Sequence, residues 1–175
     1  MSYLTVPLSQ MMRRWSPEVV GKYLSQFECD RDRDLALFLH DRAIEFEKRD
    51  LARTFLLVRE KQIIGYFSLA NTVLEIREEW PVSNTLKKKM NAVGGPSAAF
   101  LIGQMCKANG VVDKIGPVMI EMALMMFDGV REICGGRVVC VDCKGDLLEF
   151  YKKNGFKIIN GPSEEGLYRL ALLLQ

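Results

Sequence analysis

Hydrophobic and polar positions follow two periods along this chain, and each change of period marks an element. Near the amino end, "YLTVPLS" has the alternation of a short strand. "SPEVVGKYLSQF" then reads as a short helix, with Ser16 as N-cap and Pro17 at its first position. In "DRDLALFLHDRAIEFEKRDLA" the residues Leu35, Phe38, Leu39, Ala43 and Phe46 share one face at helical spacing, which predicts an amphipathic helix. His40 falls on the opposite side of that helix, which predicts a solvated ring. "RTFLLVREKQIIGYFSLANTVLEI" contains two strand-like runs joined by the polar "REKQ", a hairpin in outline. Residues 78–96 turn polar and irregular, with Trp80-Pro81, a lysine run and Gly94-Gly95-Pro96, and read as a loop with one helical turn.

The second half is more regular. "SAAFLIGQMCK" predicts a buried strand, and a loop with Gly110 and Gly116 leads into the helix "PVMIEMALMMFDGVREI". On that helix Glu121, Asp128 and Glu132 make one narrow polar stripe, so every other face is expected to be covered. "GRVVCVDCK" is a further apolar strand, "DLLEFYKKN" a short helix ended by Gly155, and "FKII" and "LYRLALLL" two last strands. This order predicts an α/β fold with helices covering a mixed sheet, and 175 residues suffice for one domain spanning 1–175. "LYRLALLL" is too apolar for an exposed edge strand, which predicts either an interior place in the sheet or a homodimer built partly on it.

Composition narrows the chemistry. A formal net charge of +2 gives no global electrostatic case for nucleic acid, and Arg13-Arg14 and Lys87-Lys88-Lys89 read as solvated faces. Five cysteines beside a single histidine read as reduced, mostly buried thiols, with neither a disulfide framework nor a metal site. No amino-terminal leader pattern and no apolar run of membrane-spanning length are visible, so a soluble, cytoplasmic protein without a membrane partner is expected. One feature points to a ligand. Gly116 and Pro117 leave the first N–H groups of a long apolar helix open, and helix amino ends attract anions.

A buried strand, a glycine-containing turn opening a helix, a second strand and then "FYKKNGF" are together similar to the core of the GNAT superfamily of N-acetyltransferases, over roughly residues 53 to 160. Upstream, Phe27, Cys29, Arg53, Thr54, Phe55, Gly65, Tyr66 and Leu69 resemble one GNAT branch, which runs Phe-x-Cys, an acidic helix, Arg-Thr-Phe/Tyr, then a hairpin ending in Gly-Tyr-x-x-Leu. That branch includes the acetyltransferase toxins that modify aminoacyl-tRNA. The resemblance implies a GNAT-like mixed central sheet flanked by helices, with splayed parallel strands forming an acetyl-CoA cleft. It implies acetyl-CoA as co-substrate, its pyrophosphate cradled by Val112, Asp113, Lys114, Ile115, Gly116, Pro117 and Val118. The pantetheine arm would run along Gln104, Met105 and Cys106, with Lys107 at the strand end. Asp113 departs from the family pattern by placing a carboxylate beside the phosphates, and Lys114 or Lys107 is expected to offset it.

For the chemistry, Tyr151 matches the tyrosine that many GNAT enzymes use as general acid; its alternative is a core residue packed with Leu147 and Leu148. Cys106 reads as a small buried hydrophobe, not as an acetyl carrier. No general base stands out, since Asp142, Glu75 and Glu60 read as surface carboxylates. An α-amino group, with a pKa of about 7.7, needs no strong base, whereas a lysine amine at about 10.4 does. The implied activity is acetyl transfer to a primary amine on a small molecule, a protein or aminoacyl-tRNA. The toxin reading adds an antitoxin partner, and a third reading is a non-catalytic CoA-binding module.

Overall fold

In the computed structural model, which describes residues 3–91 and 95–175, seven strands form one sheet. They are β1 (Leu4–Pro7), β2 (Arg53–Arg59), β3 (Gln62–Glu75), β4 (Pro96–Lys107), β5 (Val138–Cys143), β6 (Lys157–Asn160) and β7 (Tyr168–Leu173). Their order is β1-β2-β3-β4-β5-β7-β6, antiparallel except for the parallel β4/β5 pair among the pairings described. The chain forms two compact units, Met1–Ala70 with Gly103–Met119, and Asn71–Ile102 with Ile120–Gln175. β3 and β4 contribute to both.

In the first unit, β1 runs directly into α1 (Leu8–Arg14), a helix that the strand-like reading of "YLTVPLS" missed. Leu8 and Met11 bury its inner side. α2 (Pro17–Leu24) forms as predicted, with the Ser16 hydroxyl accepting from the Val19 N–H at 3.4 Å and Pro17 in the first turn. The long amphipathic helix is present in three pieces, α3 (Arg33–Leu37), a π-helical turn over Phe38–Arg42, and α4 (Ala43–Lys48). His40 is half-buried and not free in solvent. Its Nε2 lies 2.8 Å from the Phe27 carbonyl, so the ring ties this helix to the segment before it. The hairpin turns on Glu60 and Lys61, both at positive φ (51° and 65°), as a two-residue loop between twisted strands requires.

The core of this unit explains several residues that carry the family resemblance. Phe27 packs edge-on against Tyr66 (5.3 Å between centroids), and the fully buried Tyr66 donates its hydroxyl proton to the Leu35 carbonyl at 2.6 Å. Arg53 bridges Glu47 and Asp50, and the buried Glu47 carboxylate accepts from the Thr54 N–H at 3.0 Å. Burial raises the Glu47 pKa, with the Thr54 N–H and Arg53 opposing it. Glu47→Ala strands the N–H of the 1% exposed Thr54 without its acceptor. Chemical denaturation should register a loss of about 1–3 kcal/mol, and an unchanged midpoint would show that the pair is not structural.

The second unit is built on β5, β7 and β6. Val138 through Cys143 pair with Leu173 through Tyr168, and β6 lies on the outer side of β7. The apolar last strand is therefore interior, and an exposed edge is no longer a reason to expect a homodimer. Its core joins Leu74, Trp80, Met90, Ala99, Val138, Cys140, Ile159 and Ala171. Where a loop with one helical turn was expected, Ser83 caps a two-turn helix, α5 (Asn84–Met90), and Trp80 is buried; Gly94 of that stretch lies outside the described residues. Gly155, at φ +90°, ends α7 (Leu148–Lys153) as predicted. Cys140 and Cys143 have a Cys-x-x-Cys spacing, but on a strand three residues apart they face opposite sides, and both are free thiols.

α6 (Ile115–Cys134) departs from its expected full burial. Met125 is 69% and Ile133 88% exposed. A helix packed on one sheet covers only part of its circumference, so an apolar pattern all round does not secure burial all round.

Candidate active site

β4 and β5 share three parallel rungs among the described residues, Phe100 with Val139, Leu101 with Cys140 and Ile102 with Val141. β4 then continues through Gly103, Gln104, Met105, Cys106 and Lys107. Here the Ser68 hydroxyl accepts the Gln104 N–H at 2.9 Å, and the missing Cβ of Gly103 makes room for it, since a Cβ there would sit 3.2 Å from that oxygen. The Gln104 N–H is thus engaged within the protein. Cys106 is 5% exposed, and burial first, then a hydrogen bond with Cys29, pushes its pKa well up. A thiol held protonated is a poor nucleophile, which agrees with its reading as a hydrophobe.

Two contacts fix the segment entering the turn. The Asn109 side chain accepts from the Asp30 N–H at 2.9 Å, and the Ala108 N–H donates to Ile64 at 3.0 Å. Val112 is 89% exposed, Lys107 and Lys114 point outward, and Asp113 is largely covered. Asp113 is not offset by Lys114 or Lys107. Its carboxylate meets the Arg59 guanidinium from the end of β2 at 2.5 Å. The pair spans 54 positions of sequence, which is why no local pattern revealed it.

The helix opens at Ile115, two residues before the predicted start, so Pro117 is its third residue and not its first. This costs no intrahelical bond, because the third N–H has no acceptor in the helix anyway. Ile115 is 4% exposed and sits over Gly65, where a Cβ would come within 2.8 Å of Ile115 Cδ1, 3.1 Å of the Cys106 carbonyl and 3.3 Å of Met119 Sδ. Gly65 therefore lets β3 approach the first turn of α6 closely. That first turn, with Gly116 and Val118 half-buried, carries no acidic residue. The Ile115 N–H donates to the Asp113 carbonyl at 3.0 Å, leaving Lys114 and Gly116 as the open helix-end donors among the described residues.

Tyr151 belongs to the second unit. It is 4% exposed, held edge-on between Phe150 and Phe156, and burial, then the neighbouring Cys143, pushes its phenol pKa well above the usual value. The phenol is thus protonated throughout the neutral range. Of the carboxylates weighed as bases, Asp142 is held in a bidentate pair by Arg169, at 2.8 Å from Nε and 2.6 Å from Nη2. Glu75 and Glu60 are exposed.

No family model matches this sequence, and no curated protein does. Solved structures do match. AtaT complexed with acetyl-methionyl-tRNAfMet aligns with a TM-score of 0.72 at 21% identity, over 86% of each chain. A tyrosine-to-phenylalanine mutant of KacT aligns with a TM-score of 0.74 at 15% identity, over 98% of this chain and 95% of that one. The fold is GNAT-like. AtaTR bound with AcCoA aligns over 97% of this chain and 92% of that one, with a TM-score of 0.68 at 16% identity.

Within the GNAT-like fold, the residues that carried the family resemblance in sequence have mainly structural contacts. Phe27 and Tyr66 fill a core, Arg53 and Thr54 complete the Glu47 network, and Gly65 clears the helix end. The sequence reading missed Arg59, Asn109 and Ser68, which each act on a residue distant in the chain.

Proposed function

We propose that this chain is an acetyl-CoA-dependent N-acetyltransferase acting on a primary amine. The observation that carries this reading is the turn between β4 and α6, where Arg59 neutralises Asp113, Gly65 lets the strand approach the helix, and a 20-residue helix opens without an acidic residue. These features fit a diphosphate lying on Val112 to Val118, with Gln104 to Lys107 beside the pantetheine arm. The likeness to AtaTR bound with AcCoA supports the same ligand.

Bound acetyl-CoA supplies an activated thioester. The chain's part is to hold the amine so that its nitrogen bonds the acetyl carbon while the carbon–sulfur bond breaks. Tyr151 gives its proton to the departing thiolate, and the proton of the amine leaves to water. Calorimetry with acetyl-CoA, followed by thiol release with a panel of amines, tests the reading. Binding without release from any amine would leave a non-catalytic CoA-binding module. No binding would end the proposal.

A second reading has its own support. AtaT was solved with acetyl-methionyl-tRNAfMet and also with the antitoxin AtaR, which favours aminoacyl-tRNA as acceptor and an antitoxin as partner. Growth arrest on expression, relieved by a neighbouring antitoxin, would select it. In either reading Arg59→Ala uncovers the Asp113 charge next to the phosphates. Acetyl-CoA should then bind about ten-fold more weakly, ~1.4 kcal/mol, and the double variant with Asp113→Asn should recover most of that loss. Unchanged affinity in Arg59→Ala would remove this pair from the site.

A further inference from the structure

Apart from the turn and the phenol, the second unit holds an open cavity of about 410 Å3, lined by the end of β3 and the residues after it, by β5, and by the connection between β6 and β7. Its volume is in the range of small-molecule sites. The wall has mixed charge, with carboxylates from Glu75, Asp142 and Glu165 and guanidiniums from Arg77 and Arg169. Asp142 and Arg169 satisfy each other through their bidentate pair, which leaves Glu75, Glu165 and Arg77 as the other charged residues of the wall. Trp80 lines the same cavity, is 7% exposed, and its buried indole N–H has no hydrogen-bond partner among the described residues. A buried donor left unpaired is costly and uncommon, and a ligand carrying an acceptor would satisfy it.

The cavity also has a definite relation to the proposed acid. Asp142 and Cys143 are successive residues of β5, so their side chains leave opposite faces of the strand. Asp142 lines the cavity, and from Cys143 the chain runs through one short turn into α7, which carries Tyr151. The cavity wall and the helix that carries the phenol therefore both adjoin the carboxyl end of β5.

We propose that this cavity receives the acceptor and selects small zwitterionic amines, that is, amino acids and compounds of their kind. The ammonium group pairs with Glu75 or Glu165, and the carboxylate takes Arg77 and the Trp80 indole N–H. A polyamine finds no match for the guanidinium and the indole. With the Asp142–Arg169 pair set aside, the phosphate-rich end of a tRNA meets two carboxylates, Glu75 and Glu165, against the single guanidinium of Arg77. The proposal rests on the acetyltransferase reading, and deepens it by naming the acceptor class.

The chain has two tryptophans, so Trp15→Phe leaves Trp80 as the sole emitter. Titrating that protein with L-amino acids, putrescine or methionyl-tRNA, while acetyl-CoA-dependent thiol release is followed in parallel, separates the possibilities. Expected is a saturable shift of Trp80 emission and thiol release with at least one amino acid, and neither with putrescine. Glu165→Gln and Arg77→Gln should each raise the half-saturating amino-acid concentration at least ten-fold and leave acetyl-CoA affinity unchanged. Absence of any amino-acid shift, or an unchanged half-saturation in both variants, overturns the proposal. Thiol release with methionyl-tRNA alone overturns it too, yet keeps the acetyltransferase reading. A protein that binds no acetyl-CoA loses that reading and, with it, the cavity's role as acceptor site.

Discussion

Tyr151→Phe is expected to lower the turnover number by on the order of 10²-fold, the lower end for general acid–base catalysis, with acetyl-CoA affinity and melting temperature almost unchanged. The substitution keeps the ring in its place between Phe150 and Phe156 and removes only the proton. Burial matters to this outcome. A phenol whose pKa is raised by desolvation stays neutral at working pH, so the donor is present in nearly every molecule. Activity attributable to this proton should accordingly hold on the alkaline side until well past the ordinary tyrosine range of about 10. If Tyr151 is only a core residue, the Phe variant turns over normally per folded molecule. It then costs about 1 kcal/mol of stability if the hydroxyl bonds to the backbone. Turnover and melting temperature measured on the same sample decide between the two.

Local signals were the ones that could be read from sequence. Ser16 before Pro17 marked a helix start, Gly155 a helix end and the polar "REKQ" a hairpin, because each depends on a few adjacent residues. The regular second half gave β4, α6, β5, α7, β6 and β7 in their proper order for the same reason. What could not be read depends on partners far along the chain. The insertion of β7 between β5 and β6 is a choice of neighbour, and the apolar character of "LYRLALLL" showed only that it needed cover. Likewise Asp113 read as an unpaired carboxylate in the expected cradle, whereas Arg59, on a strand that folds back to it, pairs with it. His40 was misjudged by the helical wheel because its partner is the Phe27 carbonyl, outside the helix. α6 shows the opposite error. Its apolar pattern overstated its burial, since Met125 and Ile133 are open.

Gly116→Glu should abolish acetyl-CoA binding without weakening the fold, and the two effects together are diagnostic. Gly116 is the second residue of α6 and half-buried, in a first turn that has no acidic residue. A carboxylate at that place suits the helix dipole, so by itself it stabilises the helix end by about 0.3–1 kcal/mol. The same carboxylate occupies the space where a phosphate would accept from the backbone N–H groups, and repels it. Stability and ligand affinity therefore move in opposite directions, which a general loss of folding cannot imitate. Gly116→Gln separates bulk from charge, since it fills similar space without the repulsion and should retain weak binding. With Asp113 already neutralised by Arg59, the added carboxylate would be the only unpaired negative charge introduced at the turn. Calorimetric affinity equal to the native protein in the Glu variant would mean that the diphosphate lies elsewhere, and the cradle from Val112 to Val118 would have to be given up.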